Sequence, residues 1–207
     1  MDIFKEFVFK GTFNTAIRSD EKMENIDKTI ADRAFKIQKK RLDAFMLANG
    51  FVKYKANSYI RRNDIDVLEY VNLQKEAYGS KKFTVNYALI PLYVPHDFLS
   101  YDLGGRLAVM ITGRNDVWWN FADEKVAEMS FSNVMDAISQ YLLPWFQKNS
   151  DKDILSITLL EEKKKRELYG GRLTDIQQKW LDILMEPVYD AGVIEDNIRV
   201  FKLPALK

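Results

Sequence analysis

The sequence contains no cysteine and a single histidine, His96. Without cysteine there can be no disulfide, no thiolate zinc or iron–sulfur site and no cysteine nucleophile. With one histidine, serine–histidine catalysis has a single candidate base, and a metal site built on several histidines is excluded. These absences remove large classes of secreted scaffolds, metalloproteins and hydrolases.

Glycine, proline, net charge and long apolar runs are also scarce. Nine glycines and five prolines among 207 residues exclude fibrous and low-complexity chains. The 31 basic and 30 acidic residues leave a net charge of +1, which provides no overall field to attract nucleic acid or an anionic membrane. No run approaches the roughly 20 apolar residues that span a bilayer, and Met1–Glu6 lacks the apolar start of a signal peptide. We therefore expect a cytoplasmic protein without nucleic-acid or membrane partners.

What the sequence does contain is a large apolar fraction, 47% hydrophobic and 13% aromatic, enough for a full core. Changes in pattern divide it into three parts. Residues 1–25 show no sustained period and are predicted to be an N-terminal arm. Residues 26–150 are predicted to form a core domain, and residues 151–207 a helical extension packed on it.

Apolar side chains at three- and four-residue steps predict two helices in the core domain. The first runs from about Asn25 to Asn49, where Gly50 provides the backbone conformation that ends a helix. The second begins near Ser130, and Pro144 is expected to kink or end it because its ring clashes with the preceding turn.

The extension is predicted to be mainly helical. One helix begins near Ile154 and stops at Gly170-Gly171. Thr174 and Gln177 have the spacing of a capping box, in which both side chains satisfy backbone N–H groups at the start of the next helix. The last segment, 188–203, is predicted to hold a short hairpin.

Between the helices, β-branched and aromatic residues predict four strands, at about residues 58–61, 67–73, 83–89 and 106–112. Their short connections, including Asn63-Asp64 and Gly79-Ser80, indicate antiparallel pairing of neighbours. The predicted fold class is α+β: an antiparallel sheet of four to five strands with amphipathic helices packed on one face, plus the C-terminal helical extension.

Strand side chains alternate between the two faces, so residue parity predicts the face that each occupies. Odd positions in the last three predicted strands are apolar, apart from Glu69, and should face the helices. The even positions carry a polar set: Tyr70, Asn72, Gln74, Thr84, Asn86, Arg106 and Thr112. A hairpin at Gly79 would place Asn72 opposite Asn86, and a two-residue turn at Asn63-Asp64 would add Tyr59 and Arg61 to this face.

Two interpretations of the polar face stay open. A half-buried antiparallel sheet usually exposes one polar face to water. Asparagine and glutamine are poor strand formers, however, and three of them in mid-strand favour a recognition surface or a buried hydrogen-bond network. Trp118 and Trp119 point opposite ways in an extended chain, so one can pack in the core while the other reaches the polar face. The candidate ligand-binding residues are Arg61, Tyr70, Asn72, Gln74, Asn86, Arg106, Trp118 and Trp119.

Several short pieces in a fixed order resemble a bacterial family, the domain of unknown function 4304. They are Gly50-Phe51, Tyr59, Arg61, Val71–Lys75, Phe83–Asn86, Arg106 and Trp118-Trp119, and the resemblance covers about residues 36–150. It implies a fold and its boundaries rather than an activity. It also implies that Asn72, Gln74 and Asn86 belong to a family pattern.

No catalytic residues, cofactor or metal site are predicted. The sequence contains no phosphate-binding loop, dinucleotide fingerprint, nucleophile elbow or zinc spacing. Asp64 and Asp66 could ligate a divalent cation, but a turn explains Asp64 more simply. His96 beside Asp97 could act as a general base, but a structural or solvated histidine is the expectation.

These observations predict a non-catalytic binding module whose polar sheet face holds a partner protein or a small ligand. The alternative is an enzyme acting on a phosphate- or carboxylate-bearing substrate. In that hypothesis Arg61 and Arg106 would clamp the anion, and Asp66 or Glu69 would act as the base.

Overall fold

A computed structural model describes residues 7–77, 79–114 and 116–205, with side chains from residue 28 onward. Helix α1 (Phe7–Ala48) precedes the strands β1 (Val52–Lys55), β2 (Ser58–Arg62), β3 (Val67–Lys75), β4 (Lys82–Pro91) and β5 (Leu103–Arg106). Next come α2 (Leu107–Thr112), β6 (Trp119–Asn120), α3 (Glu124–Ala137), a π-helical turn (Ile138–Leu142) and α4 (Leu143–Lys148). The C-terminal part contains α5 (Lys152–Leu168), α6 (Asp175–Met185) and α7 (Gly192–Phe201). None of the helices in the described ranges is long and apolar enough to cross a membrane.

The strands form one antiparallel sheet in the order β1-β2-β3-β4-β5, and β6 also pairs with β4. Strand β5 pairs with the segment from Asn86 to Leu89, whereas β6 pairs with Lys82 and Phe83. The α+β class and the antiparallel sheet predicted from the sequence are confirmed. Sequence patterns did not reveal β1 and β6, which have only four and two residues.

Helices α1 and α3 cover the odd-numbered face of the sheet. Val71 of β3 and Val85 of β4 are fully buried in the same cluster as Phe35 of α1 and Phe131 of α3. The Phe35 and Phe131 rings meet edge to face, 5.3 Å apart. Each such side chain contributes roughly 1.5–3 kcal/mol on burial. The predicted apolar face of β3 and β4 is therefore confirmed.

Helix α7 covers the apolar end of the opposite face. Phe201 packs in a second cluster of buried residues, Ile60, Leu68, Tyr70, Ala88, Ile90 and Leu92. The prediction of a hairpin over 188–203 is wrong. Ile194, Asn197 and Phe201 recur at three- and four-residue steps, which places them on one side of a helix.

The segment from Leu107 to Thr112 is helical, so the prediction of a strand over 106–112 is wrong. The strand lies earlier, at Leu103–Arg106. Gly113, with φ of 76°, ends α2 and donates its N–H to the Val109 carbonyl. In the helix, Leu107 and Ala108 are buried while Val109 is 38% exposed, so parity no longer describes their placement.

Two helices also differ from their predicted extent. The sequence predicts α1 from about Asn25, but it begins at Phe7, and residues 7–48 contain no proline to interrupt it. After α3, the chain passes Pro144 through the π-helical turn, where the wider spacing of hydrogen bonds accommodates the proline ring. The helix therefore continues to Lys148 with a local change of pitch.

Candidate functional site

The sheet register brings the predicted amide residues together on one face. Asn72 of β3 lies directly opposite Asn86 of β4, and Asn86 lies opposite Arg106 of β5. Two residues further along β3, Gln74 lies opposite Thr84 of β4. The predicted alignment of Asn72 with Asn86 is confirmed, because Leu73 pairs with Val85 as the Gly79 hairpin requires.

Gln74 and Asn86 form an amide pair beside a cavity that we call the amide pocket. Asn86 Nδ2 donates to Gln74 Oε1 over 2.9 Å. The pocket has a volume of about 280 Å³, and its walls are Gln74, Asn86, Tyr87, Tyr101, Gly104 and Gly105. It can form here because Gly104, opposite Ala88, contributes no side chain. A Cβ at Gly104 would overlap the Tyr87 carbonyl and lie 2.7 Å from Ala88 Cα.

Asn72 belongs to a hydrogen-bond network in the middle of the face. Its Nδ2 donates to Ser58 Oγ over 2.9 Å, and Ser58 Oγ is 2.9 Å from the Tyr70 hydroxyl. The Tyr101 hydroxyl donates to Tyr70 over 3.5 Å. Ser58 and Tyr70 are buried. The two interpretations left open by the sequence thus apply to different residues: a network around Asn72, and available amides at Gln74 and Asn86.

Arg106 and the two tryptophans lie beside the short strand β6. Arg106 forms an ion pair with Asp116, and its guanidinium lies 5.2 Å from the centre of the Trp118 ring. Trp119 packs against Phe83 of the core, with ring centres 6.0 Å apart. As the sequence predicts, one tryptophan, Trp119, packs against the core, while the other, Trp118, lies beside Arg106. Because Asp116 compensates the charge of Arg106, this arginine is a weak candidate for binding an anion.

Thr84 and Thr112 are the remaining members of the predicted polar set. Thr84 is fully buried, and its hydroxyl has no hydrogen-bond partner among the described residues. Thr112 lies in α2, where its hydroxyl donates to the Ala108 carbonyl over 2.9 Å. Its placement on the sheet face is therefore wrong, since it is not part of a strand.

Arg61 lies on the helical face of the sheet, opposite Glu69, and the prediction that it shares a face with Asn72 is wrong. The register places Ser58 and Ile60, rather than Tyr59 and Arg61, beside Asn72 and Tyr70. The connection between β2 and β3 spans residues 63–66, with Asp66 at a φ of 58°. It is longer than the two-residue turn assumed, and the odd-numbered shift in register exchanges the two faces of β2.

Arg61 and Glu69 form an ion pair, with a half-buried guanidinium and a buried carboxylate, at a second cavity that we call the carboxylate cleft. Arg61 Nε lies 2.5 Å from Glu69 Oε2, and Arg61 Nη1 donates to the Asn49 carbonyl over 2.7 Å. Burial raises the pKa of Glu69 above its ordinary value, and the hydrogen bond and charge of Arg61 offset only part of this increase. The cleft has a volume of about 470 Å³, and its other walls include Asn63, Asp64 and Gln147. Arg61 and Arg106 are therefore on opposite faces of the sheet, and the two-arginine clamp is not formed.

A third cavity, the aromatic cleft, was not identified from the sequence. It has a volume of about 640 Å³, and its walls include Tyr54, Tyr70, Phe98, Tyr101 and Phe201. Phe98 is 70% exposed and Tyr101 is 53% exposed. The sequence did contain one signal, which is the presence of Phe98 and Tyr101 in a predicted loop. Large aromatic side chains on a loop often mark a binding surface.

The other predicted candidates have structural partners. Asp66 pairs with Arg62, and no group of residues in the described parts of the chain could hold a metal ion. The His96 ring is buried with Nε2 3.1 Å from the Pro91 carbonyl and 3.6 Å from Asp102, not Asp97. Burial raises the pKa of Asp102. His96 is therefore a structural histidine within the loop that precedes β5.

Comparison with known proteins gives a family but no activity. No curated protein and no solved structure matches the chain. The family model of a domain of unknown function, DUF4304, matches residues 42–148. That range begins in α1, ends with α4 and contains the whole sheet. Because the match covers just over half of the sequence, including every wall of the amide pocket, the chain belongs to the DUF4304 family.

Proposed function

We propose that the protein is a non-catalytic binding module, and that the amide pocket holds a partner protein or a small ligand. The single observation that carries this proposal is the Gln74–Asn86 pair. Asn86 Nδ2 is bound to Gln74 Oε1, while among the described residues Gln74 Nε2 and Asn86 Oδ1 bind nothing. The pair thus presents one donor and one acceptor to a ligand.

The setting of the pair supports this function. Gln74 is exposed and Asn86 is half-buried, so both can be reached from solvent. The strands that carry them are central in the sheet, so the two amides are held on a rigid support. Tyr101 adds a hydroxyl and an aromatic surface at the same cavity. Convergent polar groups in a concave site are the usual arrangement of a ligand pocket.

The test compares capture by the wild-type protein with capture by Gln74→Ala/Asn86→Ala. Each protein is immobilised and incubated with a cell extract, and the bound species are quantified by mass spectrometry. We expect the species retained by the wild type to fall at least tenfold, while the free energy of unfolding changes by less than about 1 kcal/mol, as for exposed positions.

The matched control is Gln178→Ala, which removes a glutamine amide hydrogen-bonded to Asp182 on α6. It should retain the same species as the wild type. Equal retention by the double variant would show that the amide pocket is not the binding site.

The carboxylate cleft favours a second function, that of an enzyme acting on a phosphate- or carboxylate-bearing substrate. Glu69 is 2% exposed, its pKa is raised by burial, and it lies at the cleft beside Arg61. A carboxyl group with a raised pKa next to a fixed guanidinium is a combination found in active sites. Arg61 alone would contact the anion, since Arg106 is on the other face.

The enzymatic hypothesis is tested with two anionic probes, para-nitrophenyl phosphate and the mono-para-nitrophenyl ester of succinic acid, which carries a free carboxylate. If Glu69 is a general base or acid, Glu69→Gln should reduce turnover about 100-fold or more, because proton transfer contributes that much. Glu167→Gln, at an exposed position, is the control. Turnover that is absent in the wild type, or equal in Glu69→Gln and the wild type, would exclude this role.

A further inference from the structure

The amide pocket and the aromatic cleft are neighbouring cavities that share Tyr101 as a wall. Gln74 of the first and Tyr70 of the second lie on β3, four residues apart and on the same face. At about 3.3 Å per residue, the two positions are roughly 13 Å apart. A ligand that fills both cavities must therefore be elongated, with about the length of four residues of extended chain.

The amide pocket matches the chemistry of a peptide bond. Gln74 Nε2 can donate to a carbonyl oxygen, and Asn86 Oδ1 can accept from an N–H group, so together they complement one backbone amide. No charged side chain is among the described walls of this pocket. An anionic group such as a phosphate would find no positive charge there, which disfavours a nucleic-acid backbone.

The aromatic cleft is suited to an apolar side chain. The Tyr54 and Tyr70 rings meet edge to face at 6.5 Å, and the Tyr70 and Tyr101 rings at 5.3 Å. These rings, with the exposed ring of Phe98, form an aromatic surface of the kind that anchors protein partners.

Charge at the mouth of the aromatic cleft favours an acidic occupant. Lys55 and Lys202 line the cleft together with a single acidic residue, Asp97. Lys55 Nζ also lies 4.8 Å from the centre of the Tyr54 ring, so its charge is held beside the aromatic surface. The local excess of one positive charge is complementary to a carboxylate that follows the apolar side chain.

We propose that the ligand of this surface is an extended peptide segment of a partner protein, with one backbone amide in the amide pocket and an aromatic side chain followed by an acidic one in the aromatic cleft. This inference rests on the proposed function and names the occupant of the same site. The segment runs parallel to β3, from Tyr70 to the amide pair of Gln74 and Asn86, and contacts Tyr101 between these two ends.

The test uses acetylated, amidated hexapeptide pools with the central dipeptide fixed and the other positions randomised. The pools carry Phe-Asp, Phe-Lys or Gly-Asp, and each is titrated into the full-length, 15N-labelled protein. Side-chain amide signals of Gln74 and Asn86, assigned with the alanine variants, report on the pocket. We expect these signals to shift with the Phe-Asp pool and to need at least tenfold higher concentrations of the other two.

Two exposed positions provide independent variants. Phe98→Ser and Lys202→Glu change side chains that line the aromatic cleft, and each should weaken binding of the Phe-Asp pool at least tenfold without lowering the unfolding temperature. Lys163→Glu, which reverses a charge on α5 away from the walls of the cleft, should have no effect.

The outcomes separate this inference from the function on which it rests. Absence of a shift with every pool, or equal binding of all pools, overturns the peptide proposal. Stronger binding of a thymidine oligonucleotide than of the Phe-Asp pool overturns it in favour of nucleic acid. If the peptides fail while Gln74→Ala/Asn86→Ala still abolishes capture from extract, the amide pocket remains the binding site and only its proposed occupant is wrong.

Discussion

A carboxylate buried in an apolar sheet face makes stability depend on pH, and Glu69 is such a residue. Its side chain lies among buried residues of β3 and faces the helical layer with Arg61 as its ionic partner. Because burial raises the pKa of Glu69 above its ordinary value near 4.5, the folded protein binds a proton more tightly than the unfolded chain. Glu69 therefore favours folding below its unfolded pKa, and this contribution is lost as the pH rises through the folded pKa.

Glu69→Gln should remove this dependence. We expect the free energy of unfolding of the variant, relative to wild type, to increase as the pH rises from about 4.5 towards neutrality, by at most about 1.4 kcal/mol per pH unit for one group. Urea titrations at a series of pH values measure the difference. Glu167→Gln should show a constant difference, and a constant difference for Glu69→Gln would contradict the raised pKa.

Arg61 and Arg62 provide a matched pair at adjacent positions. Arg61→Ala leaves the carboxylate of Glu69 buried without a cation, so we expect a loss of about 2–4 kcal/mol at neutral pH. Arg62 pairs with the more exposed Asp66, and Arg62→Ala should cost less than about 1 kcal/mol. Denaturant unfolding of both variants measures these losses, and similar values for the two would contradict the account of Glu69.

At the scale of elements, the hairpin of β3 and β4 is the part of the fold that the sequence specified most fully. Alternating apolar residues and the Gly79 turn determined both register and face, so the alignment of Asn72 with Asn86 was predictable. The face of Arg61 was not predictable, because it depends on the length of the connection between β2 and β3. That length depends on a left-handed conformation at Asp66, which aspartate can adopt but which the sequence does not require.

One helix and two cavities show the limits of local sequence patterns. The β-branched residues between Leu107 and Thr112 suit a strand by propensity, but burial of Leu107 and Ala108 selects a short helix. Sequence patterns indicate the aromatic residues of the loop before β5 but not the aromatic cleft itself, because the cleft joins that loop to residues of β1, β3 and α7. The amide pair could be predicted from parity, whereas the cavity beside it depends on the close approach of β5 to β4.

That close approach makes Gly104 irreplaceable in β5. In Gly104→Ala the new Cβ would overlap the backbone of Tyr87, so the pairing of β5 with β4 must open, and we expect a loss of more than about 3 kcal/mol. In Gly105→Ala the nearest atom is the Tyr87 hydroxyl at 3.6 Å, an ordinary contact. This control should change the free energy of unfolding by less than about 1 kcal/mol, as measured by denaturant titration.

A loss of less than 1 kcal/mol in Gly104→Ala would show that β5 can move away from β4 at little cost. The amide pocket would then depend on a mobile strand, and its shape would not be fixed by the sheet.

At the scale of the whole molecule, the C-terminal helices hold the loop between β4 and β5 in place. Asn197 Nδ2 donates to the carbonyls of Leu92 and Val94, and its Oδ1 accepts from the His96 N–H. Trp180 of α6 donates to the Tyr93 hydroxyl over 2.7 Å. Because these groups are buried, the loop and the extension are expected to unfold together.

Asn197→Ala should destabilise the whole molecule by about 3 kcal/mol, since three buried backbone groups lose their partner. Hydrogen exchange measured by mass spectrometry should show faster exchange of peptides from α6, α7 and β4 in parallel. Asn120→Ala removes one exposed hydrogen bond, to the Ala122 N–H, and is the control. Faster exchange confined to α7 would contradict joint unfolding and would identify the terminal helix as a separate unit.

Strand β1 has a consequence for the behaviour of the protein at high concentration. It is the last strand on its side of the sheet, and two of its four residues are the exposed lysines Lys53 and Lys55, which a shift in register between them places on opposite faces. A second molecule that tried to add a strand there would bring its own lysines close to these two, at a cost in electrostatic repulsion and lost hydration that Asp43, 3.5 Å from Lys53, only partly offsets. Growth of the sheet from copy to copy is therefore opposed by the chain itself, and this opposition should weaken as added salt screens the lysines.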